Sequence, residues 1–177
     1  RDARMVEEAV SGGIPDNSIA VLPFVNMSRD PDNEFFSDGV SEELLNLLAK
    51  IPGLRVISQT SAFSFKEKDI DVSTIARRLN VSHVLEGSIR TAEDRVRITA
   101  QLIDARTDSH LWSQSYDRHF SEIFEIQDEI ARNVVDEIEL MLKEGYPHSR
   151  KVDPEAYRLY LLGQHHLNTY DFGKALP

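Results

Sequence analysis

Residues 82–118 read SHVLEGSIRTAEDRVRITAQLIDARTDSHLWSQSYDR, and the spacing of their breaks decides the architecture. Three β-like runs are separated only by AED and RTD, gaps the length of a turn. A parallel connection needs a crossover of about a dozen residues or more, so these runs pair antiparallel. In the middle run Val96, Ile98, Ala100 and Leu102 alternate with Arg95, Arg97, Thr99 and Gln101, so one face looks inward and the other outward. A helix follows over 121–142, with Ile123, Ile126, Ile130, Val134, Ile138 and Met141 on one stripe, and is expected to end near Gly145 and Pro147.

Upstream the pattern is different. SIAVLPFVNMS (18–28) is a nearly continuous apolar run, as in a strand buried on both faces of a helix-covered parallel sheet. Pro23 cannot donate to a ladder, so it marks an irregularity or the place where pairing on one side stops. FFSDGVSEELLNLLAKIPG (35–53) then places Phe36, Val40, Leu44, Leu47, Leu48 and Ile51 at helical spacing before Pro52 and Gly53 stop the helix. LRVISQTSAF (54–63) reads as a second strand, and DVSTIARRL (71–79) as a short helix with Val72, Ile75, Ala76 and Leu79 on one face. The order β-α-β-α-β-β-β-α predicts an α/β fold with a mixed sheet in which the first strand is interior.

The chain has 177 residues, enough for one domain with a core or for one domain and part of another. Hydrophobic residues at 41% and charged residues at 28% are globular values, so disorder is excluded. Twenty Lys and Arg against 30 Asp and Glu give a formal charge of −10, which argues against nucleic-acid binding by this segment and suits a basic partner surface. The absence of cysteine excludes disulfides, thiolate zinc sites and cysteine nucleophiles. No apolar run approaches the roughly 18 residues of a membrane span, and RDARMVEEAV lacks a signal-peptide pattern. A chain beginning with Arg1 is expected to be an excised piece whose targeting information lies upstream.

Residues 1–17 run into SGGIPDNS (11–18) and are expected to be a linker, followed by the α/β domain over 18–147. From Asp153 the text restarts as DPEAYRLYLLGQHHLNTYDFGKALP, where Leu159, Leu162, Gly163, His166 and Ala175 occupy the spacing of a tetratricopeptide repeat. His166 stands where an aromatic is usual, and the chain stops inside the second helix. Residues 153–177 are therefore expected to be the start of a truncated repeat, with a plain helix as the alternative.

No residue pattern points to catalysis, a cofactor or a metal. The six histidines, His83, His110, His119, His148, His165 and His166, have no ligand spacing and are expected to be packed or solvated. In DPDNEFFSDG (30–39) Asp30, Asp32 and Glu34 alternate as in a calcium loop, but Phe35 takes the glycine position of the sharp turn. These carboxylates suit the positive end of the following helix instead. There is no nucleophile elbow, Walker loop or GxGxxG, and Gly87-Ser88 lies inside a strand. The candidate ligand or partner residues are Asn26 and Ser28 after the first strand, with Ser58, Thr60 and Ser61 toward the carboxyl end of the second, where open α/β sheets bind ligands. The competing reading is that these groups satisfy backbone at turns. Phe63, Phe65 and Trp112 offer either core or a recognition surface.

The stretches SIAVLPFVNMSRDPDNEFFSDGVSEELLNLLAKIPGLRVISQTSAFSFK (18–66), VSHVLEGSIR (81–90), RVRITAQLIDA (95–105), HLWSQSYDR (110–118) and FEIQDEIA (124–131) resemble the TolB-like amino-terminal domain. The resemblance covers 18–142. It implies a three-layer sandwich like the anticodon-binding fold, with a five-stranded mixed sheet in the order 2-1-3-4-5 and strand 4 antiparallel. It implies no catalytic activity and no cofactor. In bacterial regulators that domain stands before tetratricopeptide repeats and often after a winged-helix DNA-binding domain or a nucleotide cyclase domain, with a membrane span between. Nothing matches the propeller of TolB, so the roles of TolB are not transferred. The implied function is a non-catalytic interaction or sensory domain with protein partners, on the periplasmic face of the inner membrane. The alternatives are a small-molecule or nucleotide site at the ends of strands 1 and 2, an accessory domain of a nucleotide cyclase, and a cytoplasmic location.

Overall fold

The computed structural model describes residues 13–144. The repeat expected over 153–177, residues 1–12 of the linker, and Gly145 and Pro147 lie outside them. The elements are β1 (Ser18–Val21), β2 (Val25–Asn26), α1 (Glu34–Ala49), β3 (Arg55–Val56), α2 (Gln59–Phe63), α3 (Val72–Leu79), β4 (His83–Ala92), β5 (Arg95–Asp104), β6 (Ser109–His119) and α4 (Ile123–Glu144). Short 3-10 turns at Pro31–Asn33 and Phe120–Glu122 lead into α1 and α4.

The sheet runs β3-β1-β4-β5-β6, with β2 also paired to β4. β1 is parallel to β3 and β4, β2 is parallel to β4, and β5 is antiparallel to both β4 and β6. Because β1 and β2 are two halves of one strand, this is a five-stranded mixed sheet in the implied order, with the first strand interior.

Pro23 sits at a bulge between those halves. Val21 lies opposite Leu85 and Val25 opposite Ser88, so one side of the ladder advances four residues while the other advances three. The Leu22 N–H still donates to the Leu85 carbonyl at 2.9 Å, and pairing resumes where the Met27 N–H meets the Ile89 carbonyl at 2.8 Å. Proline has no donor to lose, and the next donor turns out of the sheet: the Phe24 N–H donates to Ser41 Oγ of α1 at 2.8 Å. Ser41 Oγ in turn donates to the Ser37 carbonyl at 2.9 Å. The extra residue also reverses the alternation of side chains. Ala20 and Leu22 face one core, whereas Phe24 faces the other.

Two cores, one on each side of the sheet, make three layers. Ile19, Val21, Leu85, Ile98 and Leu102 pack beneath Val40, Leu44 and Leu48 of α1 and Ile126, Ile130 and Val134 of α4. On the opposite side Ala20, Leu22 and Val84 pack beneath Ile75 and Ala76 of α3. That second layer is short. The eight residues of α3 are capped at one end by Asp71, whose carboxylate accepts from the Thr74 N–H at 3.0 Å, and stopped at the other by Asn80 in the left-handed region. The outward face of β5 and β6 therefore stays uncovered, and Arg95, Arg97, Ser113, Ser115 and Asp117 are exposed there.

Some expectations are corrected. The second strand is only Arg55–Val56; the Ile57 N–H makes one further bond, to the Ile19 carbonyl at 3.0 Å, and then Gln59–Phe63 is a helical turn rather than a strand. The reason is local: Ser58 takes an extended conformation and its hydroxyl accepts from the Ser61 N–H, capping the turn. On α1 the buried stripe includes Leu45, and Leu47 is only half-buried. Trp112 packs against the larger core, although it lies on the edge strand.

Candidate binding cleft

The uncovered sheet face forms the floor of a cleft of about 560 Å³. Glu86 and Ser88 of β4 and Thr99 and Gln101 of β5 line the floor. One wall is the bulge from Leu22 to Asn26, and the other is the loop from Phe65 to Ile70 that leads into α3. Salt bridges hold that loop: Lys66 Nζ lies 2.7 Å from Asp38 Oδ2 and 3.1 Å from Glu34 Oε2 of α1. The hydrogen bond to Asp38, more than the contact with Glu34, keeps the Lys66 ammonium protonated above its ordinary range. Lys68 Nζ stands 5.9 Å from the centre of the Phe65 ring, a cation–π contact at the cleft wall.

Glu86 is the distinctive group of the floor. Burial pushes its carboxyl above the ordinary 4.5, opposed by the charge of His110. Among the described residues it makes no hydrogen bond or ion pair. Thr99 Oγ1 is hydrogen-bonded to Ser115 Oγ at 3.0 Å. Thus the floor combines one unpartnered carboxyl with hydroxyl and amide groups beside an apolar wall, an arrangement that can hold a polar ligand. Nucleophilic catalysis would require a hydroxyl bonded to a base, and no such pair is formed by the described residues of the cleft.

The residues singled out from sequence fall into two separate networks, and of the five only Asn26 lines the cleft. Asn26 Oδ1 accepts from the Ser28 N–H at 2.9 Å, and Asn26 Nδ2 donates to the Asp30 carbonyl at 3.2 Å. Ser28 Oγ accepts from the Thr91 N–H at 2.9 Å and lies 3.1 Å from Thr91 Oγ1. Elsewhere, Ser58 Oγ donates to Ser61 Oγ at 3.1 Å, the Ser61 carbonyl accepts from Ser64 Oγ at 2.7 Å, and Thr60 is exposed. Sequence reasoning missed Glu86 and Gln101 as cleft residues. Their outward alternation was the available signal, but nothing local showed that a loop would wall them in.

The described histidines do other work. His83 is buried, with Nδ1 2.9 Å from Ser82 Oγ and 3.2 Å from the Ser18 carbonyl. Burial lowers its pKa below the ordinary 6.5, and Asp104, directly opposite on β5, works against that shift. His110 and His119 are exposed. Among the described residues no group of three His, Cys, Asp or Glu side chains is placed to hold a metal ion. Asp30 caps the turn before α1 by accepting from the Asp32 N–H at 2.9 Å, and Glu34 is engaged by Lys66.

Fold and cleft together define an α/β domain of the TolB-like kind, built on a mixed sheet. The HilA/YgeH-like transcriptional regulator second domain is matched by residues 15–133, and the chain belongs to that family. It is 47% identical over 146 residues to a protein of Rhizobium meliloti (strain 1021) described as "Putative adenylate cyclase 3", covering 80% of this chain and 25% of that protein. The chain thus spans a quarter of the length of that relative. Among solved structures, TolB from Acinetobacter baumannii superposes with a TM-score of 0.50 at 15% identity, covering 72% of this chain and 30% of the other. Lipoprotein GNA1162 from Neisseria meningitidis gives 0.50 at 19% identity, covering 68% and 96%. Both are similar in fold. No helix among the described residues is long and apolar enough to cross a membrane.

Proposed function

We propose that this chain is a non-catalytic interaction or sensory domain of a bacterial signalling or transcriptional regulator, passing a binding event to an adjoining output domain. One observation carries the reading. The family is described as a domain of a transcriptional regulator, while a relative 47% identical is named for adenylate cyclase. A module shared by proteins with two different outputs is the output of neither. The cleft is compatible with a binding role, since Glu86 on its floor makes no hydrogen bond or ion pair among the described residues. Coupling through a tetratricopeptide repeat beginning near Asp153, and placement on the periplasmic face of a membrane-tethered protein, belong to this proposal through the TolB-like resemblance.

A second reading follows from Glu86: the cleft takes a small polar ligand and the domain reports its occupancy. Asn26 belongs to that site directly, and Ser28 supports the turn after it through Thr91, whereas Ser58, Thr60 and Ser61 do not line it.

The test is made in the longer protein that carries the chain. Deleting residues 18–144 is expected to leave a basal transcriptional or cyclase output that no longer varies with conditions. Unchanged regulation after the deletion, or conversion of ATP to a cyclic nucleotide by the purified chain, would overturn the proposal.

A further inference from the structure

Four phenylalanines gather where α1 and α4 begin. Phe36 and Phe120 are in ring contact, with centroids 5.1 Å apart, which joins the first turn of α1 to the turn before α4. Phe35 precedes Phe36 and is 87% exposed; Phe124, four residues beyond Phe120, is 71% exposed, and Phe120 itself 46%. Phe120, in the 3-10 turn, and Phe124, in the first turn of α4, place two exposed rings at the same end of that helix. Single exposed apolar residues are ordinary, but an aromatic cluster is not. The core does not require it: the buried stripe of α4 is Ile123, Ile126, Ile130, Val134 and Ile138, and Phe124 lies off that stripe.

The charge around the cluster is one-sided. Asp32, Glu125 and Asp128 are exposed and make no ion pair among the described residues. Two nearby cations are engaged: Arg118 forks onto Glu129 at 2.8 and 3.0 Å, and Lys66 is held by Asp38 and Glu34. Arg29 on the adjoining turn and Arg132, four residues beyond Asp128, are exposed as well, so three carboxylates stand against two guanidiniums and the balance stays negative. Carboxylates in a first helical turn favour the helix dipole, which accounts for Glu125; Asp128 lies beyond that turn, with Arg132 four residues further along the same helix.

We propose that the surface made by Phe35, Phe120 and Phe124, rimmed by Asp32, Glu125 and Asp128, docks an amphipathic segment of a partner protein that presents apolar side chains beside lysine or arginine. This rests on the interaction-domain reading above and names its contact face. Charge selects the occupant. A second copy of the chain would bring the same acidic rim, and an anionic bilayer would be repelled by it, whereas a basic apolar segment is complementary on both counts.

The test uses the whole 177-residue chain and a fluorescent synthetic helical peptide with leucine and phenylalanine on one face and lysine on the other. A sister peptide carries glutamate at every lysine position. The lysine peptide should bind, more weakly as salt rises, and the glutamate peptide at least about tenfold more weakly. Phe124→Ser and Phe35→Ser should each weaken binding about tenfold without moving the urea midpoint, and Phe124→Leu should retain it. Paired Glu125→Gln and Asp128→Asn substitutions should flatten the salt dependence. Equal binding of the two peptides, binding of neither, or binding indifferent to Phe124→Ser would overturn the proposal. Self-association, or capture on phosphatidylglycerol vesicles, that Phe124→Ser abolishes would overturn it too, by assigning the face another occupant. In the longer protein the two readings separate. If deletion of 18–144 removes regulation while Phe35→Ser with Phe124→Ser preserves it, this face is wrong and the domain reading stands; if the deletion changes nothing, the domain reading itself has failed.

Discussion

Gly87→Ala should destabilise the fold by about 3 kcal/mol, although it adds a single methyl group. The backbone of Gly87 does not lie in the left-handed region, so the requirement for glycine is space alone. A Cβ at this position would stand 2.7 Å from Cε2 and 3.0 Å from Cδ2 of Phe24, and 2.1 Å from the Thr99 carbonyl oxygen. The ring cannot swing aside freely, because Phe24 is 1% exposed and its N–H is tied to Ser41. Nor can the oxygen, because Thr99 belongs to the continuous β4–β5 ladder. Overpacking of this kind costs about 1–3 kcal/mol, and parting the strands weakens a ladder hydrogen bond by about 1 kcal/mol more. The melting temperature should fall by about 10 °C for a domain of this size. Urea unfolding checks it, with the midpoint lowered and the slope unchanged. Adding Phe24→Leu should recover only part of the loss, since the clash with Thr99 persists. A Gly87→Ala protein within about 0.5 kcal/mol of the parent would refute the bulge that places Phe24 on Gly87.

Ser41→Ala should cost about 1–3 kcal/mol, because it leaves the buried Phe24 N–H without its acceptor; a loss no larger than that of an exposed Ser→Ala change would show the bond to be dispensable. Glu86→Gln should stabilise the domain near neutrality. Burial raises the folded carboxyl above 4.5, so the contribution of the protonated form is present below the unfolded pKa and is lost as pH rises through the folded one. The advantage of glutamine over the parent should therefore grow from about pH 4 to about pH 7 in paired urea titrations. A pH-independent difference would contradict the burial of that carboxyl.

The periodic parts of the fold were legible because period is a local property. The alternation of Val96, Ile98, Ala100 and Leu102 became the buried face of β5, and the stripe from Ile123 to Ile138 became the buried face of α4. Pro23 announced an irregularity for an equally local reason, the missing donor. The strand reading of QTSAF failed because a serine cap competes with extension on a short edge strand, and propensity alone does not weigh that competition.

The candidate site was less legible. Asn26, Ser28 and Ser58 were visible as polar groups at strand ends, but the structure commits them to turns and caps. What the sequence by itself determined is which residues seek burial and where the chain must turn, since both depend on neighbours a few positions apart. Only the tertiary structure decided that one extra residue at the bulge sends Phe24 to the opposite core, that α3 is too short to cover β5, and that Phe36 meets Phe120 across the ends of two helices. These outcomes depend on register, layer size and contacts between distant segments, and none is encoded in a local window.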